Sequence, residues 1–306
     1  MTMDMRDAFF NGIYDCVKEN KDVFVITADH GAFGLSRIER DFPDQFLNVG
    51  IAEQNMISLA AGLAKCGKIV YVYSINNFIS LRSLEQVNID LCAMNLQVNL
   101  VGVGAGFTYS TDGPTHQGMQ DMQSMMVLPN LSVYNVTDHV NSYQLALLGY
   151  KEQGPKYFRI EKGKFPKIYP ENVSLDDGFS EIEHSDNTVI ISTGYMIQTC
   201  LHLKTKIDDL GIIDLYRVKP INEQKLVEKI KNVKNIIVLE ESTTSGGICE
   251  KIGFIMAKNK IFCNFLPISV EDQHCHFYGT REMLHERYNI DKKSVFLKVK
   301  KFLESK

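Results

Sequence analysis

Short apolar runs recur along the 306-residue chain, and longer segments of helical character separate them. Continuous apolar runs, in place of alternating apolar and polar residues, are typical of β-strands covered on both faces. Strands that alternate with helices predict βαβ units and an α/β fold with mainly parallel sheets. The predicted strands are residues 22–29, 69–74, 97–104, 132–136, 157–160, 188–192, 212–215, 235–239 and 261–266.

Three of the intervening segments, residues 53–65, 81–94 and 141–150, have helical composition. The first is rich in Ala, Leu, Met and Ile, and Gly67 just beyond it is suited to end a helix. Asn222 is a predicted N-cap of a further helix, because its side chain can accept a hydrogen bond from a backbone N–H of the first turn.

The alternation is interrupted at residues 162–183, which contain two Pro, two Gly and several acidic residues without sustained periodicity. Such a segment is typical of an interdomain linker. At roughly 100–200 residues per domain, the chain length also favours two domains. We therefore predict two doubly wound α/β domains, residues 1–165 and 185–306, joined by a linker at 166–184.

Composition and charge argue against several classes of function. The net charge of −4 gives no basic surface for nucleic acid. A membrane span requires about 18 consecutive apolar residues, and every apolar stretch is much shorter. The N-terminus lacks the pattern of a signal peptide. The seven cysteines form no CxxC pair, which favours reduced thiols and a cytoplasmic location.

An acidic residue opens the predicted helix 53–65. Glu53 lies in the segment NVGIAEQNM, where a short apolar stretch leads into the helix. A glutamate in a first turn interacts favourably with the helix macrodipole, so position alone suggests a structural charge.

Two further segments carry residues suited to chemistry. The segment GAGFTYSTDGPTHQ follows a predicted strand and contains Asp112 and His116. Ligands of open α/β sheets bind beyond the carboxyl ends of strands, and both side chains can exchange protons or hydrogen-bond. The segment YVYSINNF ends a strand in polar residues and Phe78. Each segment also has a purely structural explanation: the sequence around Asp112 can be a turn, His116 a structural histidine and Phe78 a core aromatic.

Together these segments resemble the transketolase family. NVGIAEQNMISLAAGLAKCG, YSINNF with SLEQV, and TDGPTHQG follow the order and spacing of the pyrimidine-binding domain of transketolases and deoxyxylulose-phosphate synthase. VIISTGYM, RVKPIN and VLEESTTSGGICEKIG resemble the family's C-terminal domain. The resemblance implies a thiamine-diphosphate enzyme that transfers a two-carbon ketol unit from a ketose donor to an aldehyde acceptor.

The resemblance also implies the cofactor contacts. The family glutamate that matches Glu53 hydrogen-bonds N1′ of the aminopyrimidine and favours the tautomer that removes the proton from C2 of the thiazolium. This catalytic role requires Glu53 to be buried and protonated near neutral pH. Phe78 matches the aromatic that packs on the pyrimidine, and Asp29 and Ile51 match positions near the cofactor. An earlier aromatic of the family pocket falls at Ile75, so one wall of the pocket differs.

Substrate contacts follow from the same matches. His116 matches a catalytic histidine that contacts the donor sugar near its carbonyl end, and Asp112 matches the aspartate that binds its C2 hydroxyl. Three arginines match phosphate contacts: Arg6, Arg82 and Arg159. Bidentate hydrogen bonding suits guanidinium to that role, and a surface ion pair is the alternative for Arg6 and Arg159.

The GDG motif that holds the diphosphate and its divalent metal in this family does not occur in the sequence. The resemblance therefore implies the second subunit of a split enzyme, in a dimer of heterodimers. A separate diphosphate-binding subunit would hold Mg²⁺ or another divalent cation. The family's phosphate-contacting His falls at Gly104 and its Ser near Phe33, which favours an altered or non-phosphorylated acceptor.

Three other functions fit parts of the sequence. They are the beta subunit of a 2-oxo acid dehydrogenase, a decarboxylating condensation like that of deoxyxylulose-phosphate synthase, and a non-catalytic scaffold subunit. The DGPTHQ segment favours the transketolase, and intact Glu53, Asp112 and His116 argue against the scaffold. His274 and His276 would share one face of a strand, but no further ligand pattern predicts a metal site there.

Overall fold

The computed structural model describes residues 3–305, which form two compact units. The first unit contains residues 3–105 and 124–173, and the second contains residues 106–123 and 174–305. The segment 106–123, which carries Asp112 and His116, thus groups with the C-terminal half of the chain. Within residues 3–305, every helix is too short or too polar to cross a membrane.

The first unit is built on a parallel sheet. Its strands are β1 (Val23–Thr27), β2 (Phe46–Asn48), β3 (Ile69–Ile75), β4 (Val98–Val103), β5 (Ser132–Asn135) and β6 (Lys156–Ile160). They are ordered β5-β6-β4-β3-β1-β2, and each neighbouring pair is parallel. All of them except the edge strand β2 are buried almost throughout. Full burial explains why these strands have continuous apolar sequences.

Helices connect these strands. They are α1 (Met5–Glu19), α2 (Phe33–Asp41), α3 (Glu53–Lys65), α4 (Asn76–Ile79), α5 (Leu84–Gln86), α6 (Asp121–Met126) and α7 (His139–Lys151). The prediction of a helix at 53–65 is confirmed. The helix predicted at 81–94 is confirmed over a shorter range: a turn at 80–83 precedes α5, and α5 continues directly into a π-helical segment at Val87–Cys92. In that turn the Ser80 and Ser83 hydroxyls bond the carbonyls of Asn76 and Phe78, which competes with regular helix.

The second unit has its own sheet. The strands of this sheet are β7 (Ser180–Glu183), β8 (Thr188–Ser192), β9 (Gly211–Asp214), β11 (Asn235–Thr243) and β12 (Asn264–Val270), and a further short strand, β10 (Arg217–Lys219), is not part of it. The sheet order is β12-β11-β8-β9-β7, parallel except for β7 against β9. Its helices are α8 (Met196–Lys204), α9 (Glu223–Ile230), α10 (Ile248–Lys258), α11 (Arg281–Arg287) and α12 (Lys292–Glu304). The two mainly parallel sheets confirm the predicted α/β fold.

Two boundaries in the second unit differ from prediction. The last residues of the segment expected to be a linker form β7, an edge strand whose acidic residues keep it polar. The strand expected at 261–266 begins later, at Asn264. Ile261, the first residue of the predicted strand, instead lies at the end of α10, since its N–H bonds the carbonyl of Met256 at 3.0 Å. Asn222 is confirmed as the N-cap of α9, because its side chain accepts from the Lys225 N–H at 3.3 Å.

Helices α1 and α7 approach each other closely at a glycine. A β-carbon at Gly12 would lie 2.7 Å from the β-carbon of Ala146 and 2.9 Å from the carbonyl oxygen of Tyr143. The Ser142 hydroxyl of α7 also bonds the Met5 carbonyl at 2.6 Å. The absence of a side chain at Gly12 therefore sets the spacing between the two helices.

Substitution of Gly12 tests this contact. Alanine is the better helix former by about 1 kcal/mol, yet we expect Gly12→Ala to lower the free energy of unfolding by about 1–3 kcal/mol because it overpacks the contact. Gly62→Ala is the matched control, since Gly62 lies inside α3 with open space around it. We expect the control to raise the free energy of unfolding by about 0.5–1 kcal/mol in denaturant titrations. Equal stabilisation by both substitutions would contradict the close approach.

Candidate cofactor and substrate site

The carboxyl ends of three neighbouring strands lie at one edge of the first sheet. β1 pairs with both β2 and β3, and the registers place Thr27 beside Asn48 and beside Tyr73. Asp29 follows β1, the turn into α3 follows β2, and the short helix α4 follows β3. In open α/β sheets this edge is where ligands bind.

The Asn48 side chain shapes the turn that leads into α3. Its Oδ1 accepts hydrogen bonds from the N–H groups of Asp29 and Gly50, each at 3.0 Å. Its Nδ2 donates to the Asp29 carboxylate at 3.4 Å. Asp29 and Gly50 both have left-handed backbone, with φ of 53° and 72°. This small network joins the end of β1 to the entry of the helix that begins with Glu53.

Glu53, Arg82 and Phe78 form one cluster. Glu53 is the first residue of α3 and is only 3% exposed, as its predicted role requires. Its Oε2 accepts a hydrogen bond from Nη1 of Arg82 at 2.7 Å. The guanidinium carbon of Arg82 lies 4.0 Å from the centroid of the Phe78 ring, in a cation–π contact. A buried carboxylate requires such a partner, because an unpaired buried charge is strongly unfavourable.

The sequence did not reveal the contact between Glu53 and Arg82. The two residues are 29 positions apart, and the resemblance suggested only a substrate contact for Arg82. A weak signal was present, since Phe78 and Arg82 have the spacing that brings side chains together on a helix. Of the other predicted cofactor contacts, Asp29 is exposed in the Asn48 network and Ile51 is 78% exposed in the turn before α3.

The two remaining arginines are placed differently. Arg159 lies on β6 and is 3% exposed, with Nη1 3.5 Å from Oδ1 of Asn135. A surface ion pair is therefore wrong for Arg159. Arg6 lies in the first turn of α1 and contacts the Tyr73 hydroxyl. Burial alone would lower the pKa of Arg6, but Tyr73 and the nearby Asp4 carboxylate raise the pKa above its usual value.

Asp112 and His116 lie in a loop of the second unit. The N–H and carbonyl groups of Gly106 and Gly118 bond each other reciprocally, at 3.0 and 2.9 Å, and so close residues 106–118 into a loop. Asp112 is exposed and accepts from the Thr111 hydroxyl at 3.3 Å. Nδ1 of His116 lies 2.9 Å from the hydroxyl of its neighbour Thr115. Both side chains carry polar atoms that can form hydrogen bonds.

His274 and His276 do not share the face of a strand. They follow the end of β12 in an irregular segment, with ring centroids 6.2 Å apart. Across residues 3–305 there is no group of three or more His, Cys, Asp or Glu side chains that could hold a metal ion.

Comparison with known proteins identifies the family. Residues 1–167 match the family model of the transketolase pyrimidine-binding domain, and residues 180–295 match that of the transketolase C-terminal domain. The chain therefore belongs to the transketolase family, whose members depend on thiamine diphosphate.

Two relatives and one solved structure show the range of similarity. The chain is 26% identical over 302 residues to one of the subunits of apulose-4-phosphate transketolase from Phocaeicola vulgatus, covering 95% of this chain and 94% of the relative. It is 28% identical over 301 residues to 1-deoxy-D-xylulose-5-phosphate synthase of Photobacterium profundum, covering 96% of this chain but 48% of the relative. A split-gene transketolase, solved as an inactive beta4 tetramer, shares the fold with a TM-score of 0.87 at 24% identity, and the match covers 99% of both chains.

Substitution of Asn48 tests the turn into α3. We expect Asn48→Ala to lower the free energy of unfolding by about 1–2 kcal/mol, because two backbone N–H groups lose their acceptor. Asn55→Ala, at an exposed position of α3, is the control and should change stability by less than about 0.5 kcal/mol. Hydrogen exchange should also become faster at the Gly50 amide in Asn48→Ala alone. The same exchange rate in both variants would show that Asn48 does not order the turn.

Proposed function

We propose that this chain is one subunit of a two-chain transketolase, which transfers a two-carbon ketol unit from a ketose donor to an aldehyde acceptor. The cluster of Glu53, Phe78 and Arg82 is the observation that carries the proposal. A buried carboxylate and an aromatic face together hold a planar group that bears N–H donors. An aminopyrimidine is also planar and rich in nitrogen, so the same two side chains suit the pyrimidine end of thiamine diphosphate.

In this proposal each cofactor contact has a defined task. Glu53, which is itself buried, exchanges a proton with a ring nitrogen of the pyrimidine. Phe78 packs on the ring face, while Asp29 and Ile51 border it at the turn that Asn48 organises. The bound cofactor supplies an electron sink for carbon–carbon bond cleavage and formation.

The diphosphate end is assigned to a separate subunit. The sequence has no GDG segment, and a relative matched over 94% of its length is named as a single subunit of a transketolase. The partner subunit would hold the diphosphate and Mg²⁺, in a dimer of heterodimers. The free state of the seven cysteines supports a reducing, cytoplasmic location.

In this proposal the substrate contacts are Asp112, His116 and three arginines. Asp112 binds the C2 hydroxyl of the donor, and His116 contacts its carbonyl end and moves protons during turnover. Among the three arginines proposed for anionic groups, Arg82 is the most exposed, Arg6 is half-buried and Arg159 is buried. The changed positions at Gly104 and Phe33 favour an acceptor that differs from that of ordinary transketolases.

A decarboxylating condensation is the second candidate function. Arg82 and the similarity to 1-deoxy-D-xylulose-5-phosphate synthase over 301 residues favour it. Transfer from ketose donors in the reconstituted two-subunit enzyme supports the transketolase. Turnover of pyruvate without turnover of ketoses would instead support the condensation. A partner-dependent complex that binds no thiamine diphosphate would identify a scaffold.

Glu53 is the decisive residue for catalysis. We expect Glu53→Gln and Glu53→Ala to reduce ketol transfer by at least about 10³-fold, because neither side chain can exchange the proton. The enzyme should be reconstituted with its diphosphate-binding subunit, and donor consumption should be measured. Asp44→Asn, at an exposed acidic position of the first unit, is a control that should retain activity. Near-normal turnover in either Glu53 variant would refute the assignment.

Arg82 should compete with the cofactor, because its guanidinium lies on Phe78 and bonds Glu53. We expect Arg82→Met to bind thiamine diphosphate about 3–10-fold more tightly in the reconstituted enzyme, since no competing cation needs to be displaced. Calorimetric titration measures this dissociation constant. Arg37→Met is the control, because Arg37 makes a similar contact with Tyr14, 3.5 Å from guanidinium carbon to ring centroid. Weaker binding in Arg82→Met would show that Arg82 supports the cofactor.

A further inference from the structure

The second unit contains a buried cluster of charged side chains. Glu241, near the end of β11, bonds both Arg281 and His285 of α11. Nε of Arg281 donates to Oε1 of Glu241 at 2.9 Å, a second guanidinium nitrogen donates to Oε2, and Nε2 of His285 lies 2.5 Å from Oε1. The three side chains are 4%, 12% and 6% exposed. We call Glu241, Arg281 and His285 the anchor cluster.

The anchor cluster keeps an ionised carboxylate inside the protein. Burial alone would raise the pKa of Glu241, but the neighbouring Arg281 and His285 and their hydrogen bonds lower the pKa below its usual value. The guanidinium also lies 3.6 Å from the ring centroid of Tyr195, which extends the contact to the loop after β8. Desolvation offsets much of the attraction in a buried ion pair, so such a pair is weak evidence for stability.

The Glu241 carboxylate lies directly against the base of the loop 106–118. A methyl group at Gly106 would overlap the carboxylate, and the backbone of Gly106 is left-handed with φ of 53°. The next residue, Phe107, stacks on Tyr288 with ring centroids 5.7 Å apart and also faces His285 at 6.1 Å. The anchor cluster and its neighbours therefore hold the position at which the loop leaves the core.

The same C-terminal region also comes close to the middle of the loop. A β-carbon at Gly113, the residue after Asp112, would lie 3.1 Å from the hydroxyl of Tyr278. The loop thus lies against the anchor cluster at Gly106 and close to Tyr278 at Gly113. Asp112 lies between Gly106 and Gly113 in the loop, and His116 lies between Gly113 and the closing bonds of Gly118.

We propose that the anchor cluster is a positioning device for the substrate loop: it fixes the backbone at Gly106 so that Asp112 and His116 are presented to the donor sugar in one orientation. This inference rests on the proposed function for the donor contacts. Glu241, Arg281 and His285 are positioning residues, since they contact the loop and not the reacting atoms. A loop that is ordered before binding loses less conformational entropy when the sugar binds.

The first test disturbs the loop base directly. In the two-subunit enzyme, we expect Gly106→Ala to speed hydrogen exchange in the peptide 106–118 by about tenfold or more, because the closing bonds at Gly106 and Gly118 open more often. Gly67→Ala is the matched control, since Gly67 is also left-handed, with φ of 84°, but has nothing within 4 Å. The control should leave exchange in the loop unchanged.

The second test removes the charges of the anchor cluster. Glu241→Gln leaves Arg281 without its carboxylate, so we pair it with the double variant Glu241→Gln/Arg281→Met, which removes both charges and is easier to fold. For both variants we expect faster exchange at 106–118 and a KM for the donor raised about tenfold. The dissociation constant of thiamine diphosphate should stay within about twofold of the natural enzyme, because Glu53 and Phe78 are untouched.

Two results would overturn the inference. One is unchanged exchange at 106–118 in folded variants. The other is a loss of cofactor affinity as large as the change in donor KM, which would indicate general destabilisation. The hydrogen exchange measurement does not depend on the reaction. If the natural enzyme transferred no ketol unit, the proposed function would fail, while faster loop exchange in the variants would still support the anchoring of the loop.

Discussion

Parallel pairing of β1 with both of its neighbours is the constraint on which the candidate cofactor site depends. Because β1, β2 and β3 run in the same direction, the residues that follow them meet at one edge of the sheet. Asn48 then joins two of these strand ends, and α3 begins at Glu53 just beyond the turn. The site is therefore a consequence of strand direction, with the helices and turns supplying the individual side chains.

Each unit contains a buried glutamate that is paired with an arginine, but the two arginines differ in their exposure to solvent. Arg82 reaches Glu53 from the surface, with 43% of its side chain accessible. Arg281 is 12% exposed and shares Glu241 with His285, so the Glu241 carboxylate is buried between two partners. The first arrangement suits a binding carboxylate, and the second suits a support for the loop 106–118.

Much of the fold could be predicted from local sequence. The apolar runs indicated the buried strands of both sheets but not the edge strands β2 and β7, because only strands buried on both faces have little freedom in composition. The errors fall where local preference is weak. Before α5, the Ser80 and Ser83 hydroxyls bond backbone carbonyls in a turn, and the helix predicted at 81–94 begins only at Leu84. At β7, an edge strand carries acidic residues and lacks the apolar run of a central strand.

The sequence by itself determined the fold class, the transketolase family and the segments that carry Glu53, Phe78, Asp112 and His116, since these depend on composition and on local order. The contacts between distant positions were decided by tertiary structure. Arg82 meets Glu53 across 29 residues and His285 meets Glu241 across 44, and no local pattern encodes such distances. Strand pairing and helix packing bring these charges together, and burial then makes each carboxylate depend on its partner.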